Sequence, residues 1–229
     1  MTRIALALSG QPRFAKITYD YWYKDLIERI EADVFFHTWW SYDMVGSLYP
    51  SHARSVLFDE DMLITDKTAF DLKKMYNPKL CAWNDYKDFN FTKTNQYQYY
   101  TQYAVSELIR NYSDRNNIKY DFVIRSRFDL AVGQDIEFSV DDSVWVASCC
   151  PYTDGRVNDM FSISNQDNFM KISQTFLNLD EFDAQGKGEM EWALWSQIQK
   201  EKLDIKKFHA DYATFDIVRS TSKNQFNIG

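Results

Sequence analysis

Residues Tyr120–Leu130 read YDFVIRSRFDL and change character within two positions. Phe122, Val123 and Ile124 form the continuous apolar run of a strand covered on both faces. Arg125, Arg127 and Asp129 follow at alternate positions, which an extended chain places on one face. Charges at the end of a buried strand are costly to desolvate without partners. Anionic groups satisfy the arginines and a divalent metal satisfies the carboxylate. A nucleoside diphosphate with its metal supplies both. The competing reading is a strand end whose Arg–Asp pairs fix neighbouring loops.

Working outward, Asn95–Tyr112 reads as a helix, with Tyr100, Tyr103, Ala104 and Leu108 on one face. Near the start, Ile4–Leu8 is a short strand, followed by the polar turn Ser9-Gly10-Gln11-Pro12-Arg13. Residues 14–31 read as a helix of imperfect apolar phase, and Ala32–Thr38 as a second buried strand with Trp39 and Trp40 just past its end. A strand near Ala53–Phe58 and a helix near Lys67–Met75 are expected next. Further strands are expected at Ser143–Ser148 and Asp159–Ser164, helices at Asp167–Leu177 and Met190–Lys200, and extended chain at Phe208 and Thr214–Arg219. Strands alternating with helices predict an α/β protein with a largely parallel central sheet.

The chain has 229 residues, which suits one domain spanning 1–229. Apolar residues make up 45% and aromatics 17%, ample for a sizeable core. With only 7 Gly and 4 Pro, flexible linkers and low-complexity segments are not expected. The net charge of −7 argues against nucleic acid as the main partner, because duplex binding is driven by phosphate neutralisation. No stretch approaches the length of a membrane span, and MTRIALALSG is too short an apolar run for a signal peptide. Cys81, Cys149 and Cys150 show no common disulfide or zinc spacing. These features lead to the expectation of a cytoplasmic protein. On that expectation the acceptor patterns at Asn90-Phe91-Thr92 and Asn111-Tyr112-Ser113 are chance matches.

The segments IALALSGQPR, ADVFFHTW, YDFVIRSRFDL and VNDMFSIS, in that order, resemble a group of small viral, phage and bacterial proteins that look like glycosyltransferases of the GT-A fold, the cyanophage type among them. The resemblance covers roughly residues 3–40 and 95–200. It implies a single Rossmann-like domain and a nucleotide-sugar donor, usually UDP-linked, bound at the carboxyl ends of the first strands. It also implies a glycan or other hydroxyl acceptor, and Mn2+ (or Mg2+) bridging the diphosphate to a D-x-D motif. Here that motif reads Arg127-Phe128-Asp129, with only the last carboxylate kept.

Each candidate residue has a chemical role and a plainer alternative. Asp129 is the first choice for the metal, since hard divalent ions prefer carboxylate oxygens. Arg13, Arg125 and Arg127 suit phosphate, because guanidinium groups stay charged and bind bidentately. Ser9, Gly10 and Gln11 bring backbone N–H groups toward a nucleotide, Gly10 permitting close approach or positive φ; a plain turn is the alternative. His37 and Thr38, with Trp39, lie where a ring can stack on a base or sugar, and a buried structural role competes. Gln96 and Tyr100, one turn apart, occupy positions that in the resembling proteins face the donor sugar; an ordinary helix face competes. Asp159, beside Asn158, is a candidate for the acceptor side as general base or hydroxyl ligand, against a capping role. Glu191 matches an acidic position in the resembling proteins and is the other candidate base, with Glu189 as a decoy. His209 is a metal-ligand candidate of the kind some GT-A enzymes use. A GT-A domain that binds nucleotide or glycan without turnover, and a nucleotidyltransferase, stay open as alternatives.

Overall fold

The computed structural model describes residues 2–49, 62–132, 141–148 and 156–210, together with the backbone of 215–217. The expected strand at Ala53–Phe58, as well as Cys149 and Cys150, lies outside the described residues.

Nine strands and seven α-helices follow one another among the described residues. They are β1 (Ile4–Gly10), α1 (Ala15–Thr18), α2 (Lys24–Ile30), β2 (Asp33–Trp39), α3 (Thr68–Tyr76), β3 (Leu80–Asn84), α4 (Thr94–Asn116), β4 (Phe122–Arg127), β5 (Leu130–Val132), β6 (Val144–Ala147), β7 (Ser162–Ser164), α5 (Gln166–Ser173), α6 (Leu179–Ala184), α7 (Met190–Lys200), β8 (Ile205–Phe208) and β9 (Phe215–Ile217). Seven strands form one sheet in the order β3-β2-β1-β4-β7-β6-β8. Strands β1 to β4 run parallel, β7 lies antiparallel between β4 and β6, and β8 is parallel to β6. The sheet is therefore mixed and mostly parallel. Strands β5 and β9 pair separately, antiparallel.

Alternation along β1 shows why both faces are covered. Leu6 and Leu8 join Val34, Phe36 and Ile124 against Trp22, Tyr23, Leu26 and Leu72. Ala5 and Ala7 join Phe35 and Val123 against Tyr99, Val105 and Ile109 of α4 and, further along, Leu194 and Ile198 of α7. Each large apolar side chain so buried stabilises the fold by about 1.5–3 kcal/mol. The small residues of β1 face α4 and leave room on that side for larger side chains.

The first helical stretch carries a π-helical turn, Tyr19–Tyr23, between α1 and α2. An i→i+5 turn shifts the helical phase by part of a residue step, which accounts for the imperfect periodicity of residues 14–31. The 23-residue α4 begins where the Gln96 side-chain oxygen accepts the backbone N–H groups of Thr92 (2.9 Å) and Lys93 (3.0 Å). It ends at Asn117, whose left-handed φ of 49° makes the C-terminal turn.

Candidate functional site

Parallel pairing brings the carboxyl ends of β1, β2 and β4 to one edge. Ser9 pairs in register with both His37 and Arg127, and Ala7 pairs with Arg125. With a side-chain period of two, Ser9, His37 and Arg125 belong to the face covered by α4. Several buried polar atoms here have no partner among the described residues: Ser9 Oγ, His37 Nδ1, Gln102 Nε2 of α4, and Nε and Nη2 of Arg125. A buried donor without a partner is rare in folded proteins and marks a strain reservoir, a water or a ligand position.

Arg125 is 3% exposed. Its Nη1 donates to the carbonyl oxygen of Asp159. Burial lowers its pKa to about 10, opposed by the Asp159 carboxylate. That carboxylate accepts the side-chain N–H of Gln98. Gln102 lies one turn further along α4 from Gln98, on the same side. Tyr99, fully buried between them in sequence, donates its hydroxyl to the carbonyl of Met190. Burial raises the Tyr99 pKa, and Asp159, Arg125 and Glu191 all act on it electrostatically. Arg125, Asp159 and Glu191 thus share one buried tyrosine as an electrostatic neighbour. Glu191 sits in the first turn of α7, and its backbone carbonyl accepts from the Val157 N–H at 3.5 Å. Glu189 is exposed just before that helix.

Arg127 and Asp129 do not continue one extended strand. Strand β4 stops at Arg127, Phe128 turns into the core, and Asp129 folds back beneath the arginines. Asp129 Oδ2 accepts from Arg13 Nε at 2.7 Å and from Arg127 Nη2 at 2.9 Å, and Oδ1 accepts from Arg127 Nε at 2.8 Å. Burial pushes the Asp129 carboxyl pKa up, but Arg127 and Arg13 more than offset it and hold the pKa below the ordinary value. The Arg127 pKa is correspondingly raised: burial pulls it down and Asp129 outweighs that. Tyr23 braces the same turn, its hydroxyl lying 2.6 Å from the Arg127 carbonyl oxygen and 2.7 Å from Ser126 Oγ.

This donor set does not fit a divalent cation. Both Asp129 oxygens are occupied by guanidinium N–H groups. Among the described residues no group of three or more His, Cys, Asp or Glu side chains is placed to hold a metal. His209 follows β8, an edge strand separated from β4 by β7 and β6. At about 4.8 Å per strand, that is on the order of 14 Å between strand axes. The expected Mn2+ or Mg2+ at Asp129 and His209 therefore finds no preformed cage among the described residues.

The remaining candidates have definite places. Thr38 Oγ1 donates to the Gly10 carbonyl at 2.9 Å and ties the β1 turn to β2. Gly10 has φ of +111°, a conformation that disfavours other residues, and the space beside its Cα is open. Gln11 is half-buried in that turn. His37 Nε2 bonds Asn84 Oδ1 at 2.8 Å, and the same oxygen accepts the Tyr100 hydroxyl at 3.1 Å. Burial lowers the His37 pKa to about 4, so the ring is neutral and its Nδ1 carries a lone pair. Gln96 caps α4, as described above, with its oxygen fully engaged. Gln98, Tyr99, Gln102 and Asn84 were not singled out by sequence. The available signal was the small pair Ala5 and Ala7, which leaves room opposite α4, and the Gln98–Gln102 spacing of four.

No protein-family model and no curated protein sequence matches this chain. Among solved structures it is similar to the CTP:phosphocholine cytidylyltransferase LicC of Streptococcus pneumoniae, with a TM-score of 0.50 and 12% identity over 99% of this chain and 98% of that one. A glycosyltransferase involved in glycosylation of the major capsid of PBCV-1 gives a TM-score of 0.44 and 9% identity over 93% and 83%. The glycosyltransferase GlyE of Streptococcus pneumoniae TIGR4 gives 0.45 and 12% over 90% of this chain and 45% of GlyE. The likeness to LicC establishes the shared α/β fold, end to end in both chains.

Proposed function

We propose that this protein is a glycosyltransferase that takes its sugar from a nucleotide-sugar donor, UDP-linked, and passes it to a hydroxyl acceptor. One observation carries the reading: Arg125 is buried with its Nε and Nη2 groups unpartnered among the described residues, at the same strand ends as Arg13 and Arg127. In parallel α/β sheets this edge is where ligands bind. A leaving nucleoside diphosphate gains negative charge in the transition state, and fixed guanidinium groups stabilise that charge. Ser9 Oγ and Gln102 Nε2 offer further donors. Asp159 and Glu191 are the candidate bases for the acceptor hydroxyl, since both lie in the electrostatic surroundings of Tyr99 together with Arg125.

A second reading, nucleotidyl transfer from a nucleoside triphosphate, draws support from the full-length likeness to a cytidylyltransferase. The two separate cleanly by their products. Incubation with UDP-sugars should release UDP and raise the melting temperature by mass action. Release of pyrophosphate from CTP or UTP with a phosphorylated co-substrate, and none of UDP from UDP-sugars, selects the second reading. UDP binding without release of UDP from any UDP-sugar selects a binding domain without turnover. Failure of every nucleoside diphosphate and nucleotide sugar, at millimolar levels, to shift the melt refutes the proposal.

Among the described residues no helix is long and apolar enough to cross a membrane.

A further inference from the structure

We propose that the protein holds the diphosphate of its nucleotide with a rim of guanidinium groups and needs no divalent cation to do so. The inference rests on the nucleotide reading above and adds what neutralises the phosphates. Seen from solvent, the order of charges is the reverse of a metal site. The Asp129 side chain is 2% exposed, whereas those of Arg13 and Arg127 are 11% and 20% exposed. An approaching ligand meets the arginines first and the carboxylate lies under them. A cation heading for Asp129 must pass two guanidinium groups that repel it and then displace one of them. A phosphate meets the same groups as partners.

The hydrogen-bond count points the same way. Asp129 already accepts three N–H bonds on its two oxygens, and a carboxylate has about four lone-pair sites. It therefore cannot chelate a metal while both arginines stay in place. What it can do is fix the planes of Arg13 and Arg127, which makes it a positioning residue. Arg125, beneath this rim, is coupled electrostatically to Arg127 and keeps two buried N–H groups for a ligand acceptor.

The test is UDP binding by titration calorimetry on the full chain, once in EDTA and once in MnCl2. The expected dissociation constants differ by less than about tenfold, the ratio that corresponds to 1.4 kcal/mol. Binding confined to the manganese buffer, or tighter there by tenfold or more, overturns the inference while leaving the nucleotide reading intact. Absence of binding in both buffers removes the two together. Two further measurements bear on the metal directly. The paramagnetic resonance signal of free Mn2+ should be undiminished by the apo protein, and loss of signal at stoichiometric protein overturns the inference. Arg13→Gln should weaken UDP binding in EDTA by about tenfold or more, as expected for a charge-assisted contact; unchanged binding in EDTA would overturn the role of the rim.

Discussion

Replacing Arg125 by Met should make the protein more stable and unable to recognise nucleotide. The unbranched Met follows the Arg stem but stops short of the guanidinium, so the change removes chiefly the polar end of the side chain. Two buried N–H groups without partners disappear, each of which costs about 1–3 kcal/mol to keep. The loss of the bond to the Asp159 carbonyl leaves that oxygen unsatisfied, at a similar cost for one group. A separate route gives the same scale. The drop in the Arg125 pKa from 12.5 to about 10 corresponds to roughly 3 kcal/mol against the charged, folded form. After allowing for the orphaned carbonyl, the net gain is about 2 kcal/mol, or about 4–8 °C for a domain of this size. Below the folded pKa, Arg125 is charged in folded and unfolded chains alike, so the gain should be constant from about pH 6 to about pH 9. Differential scanning fluorimetry with and without UDP reads both effects. A variant that melts below the wild type shows that the guanidinium is a structural anchor. A variant that still responds fully to UDP shows that the unpartnered N–H groups are not the phosphate site.

Three further outcomes follow from the same geometry. Asp129→Asn should lower stability by about 3–5 kcal/mol at neutral pH, since two guanidinium groups lose their buried counter-charge. The Asp129 pKa is lowered in the folded state, so its contribution is present above the unfolded value and is lost as pH falls through the folded one; urea melts should show the deficit shrinking in acid, and a constant deficit would contradict the ion-pair account. His37 has its pKa lowered from 6.5 to about 4, so the unfolded chain takes up a proton first and the wild type should lose up to roughly 3 kcal/mol across that window. His37→Gln should lack that component of the pH slope, and parallel slopes would count against a buried neutral imidazole. Gln96→Ala should reduce stability by about 1 kcal/mol through loss of the α4 cap and leave UDP affinity unchanged; a loss of affinity at full stability would return Gln96 to the ligand.

The strands and helices with strong signals were readable directly. Val123 and Ile124 announced β4, the apolar run Val34–Phe36 announced β2, and Met190–Lys200 was delimited to the residue. Strand β3 was missed because LCAWN is a short run at the sheet edge, half-buried or exposed throughout, without the β-branched residues that mark a strand. Strand β7 begins later than expected because Asn158 Oδ1 captures the Met160 N–H at 2.8 Å, a turn that delays the extended chain. The antiparallel placement of β7 was not legible either, since a short buried strand reads the same in both directions. At the site, the residue types were visible and their partners were not. Arg125, Arg127 and Asp129 alternate in sequence, but only the break after Arg127 reveals that Asp129 turns back under Arg13, a contact between residues 116 apart. Gln96 and Gln98 look equivalent on paper. Two positions decide that one caps a helix and the other meets Asp159.

The pairing of β5 with β9 has a consequence for the order in which the molecule is born. Leu130, the residue after Asp129, is zipped to Ile217. On a ribosome delivering about 5–20 residues per second, several seconds separate the two. During that interval the arginines, Asp129 and the first four strands are all present, yet the short ribbon that pins the turn is not. The nascent chain therefore carries these groups before the ribbon that pairs with Leu130–Val132 exists. Such a distant closure is a slow step in folding, and it ties the backbone of Phe215–Ile217 to the turn that carries Asp129.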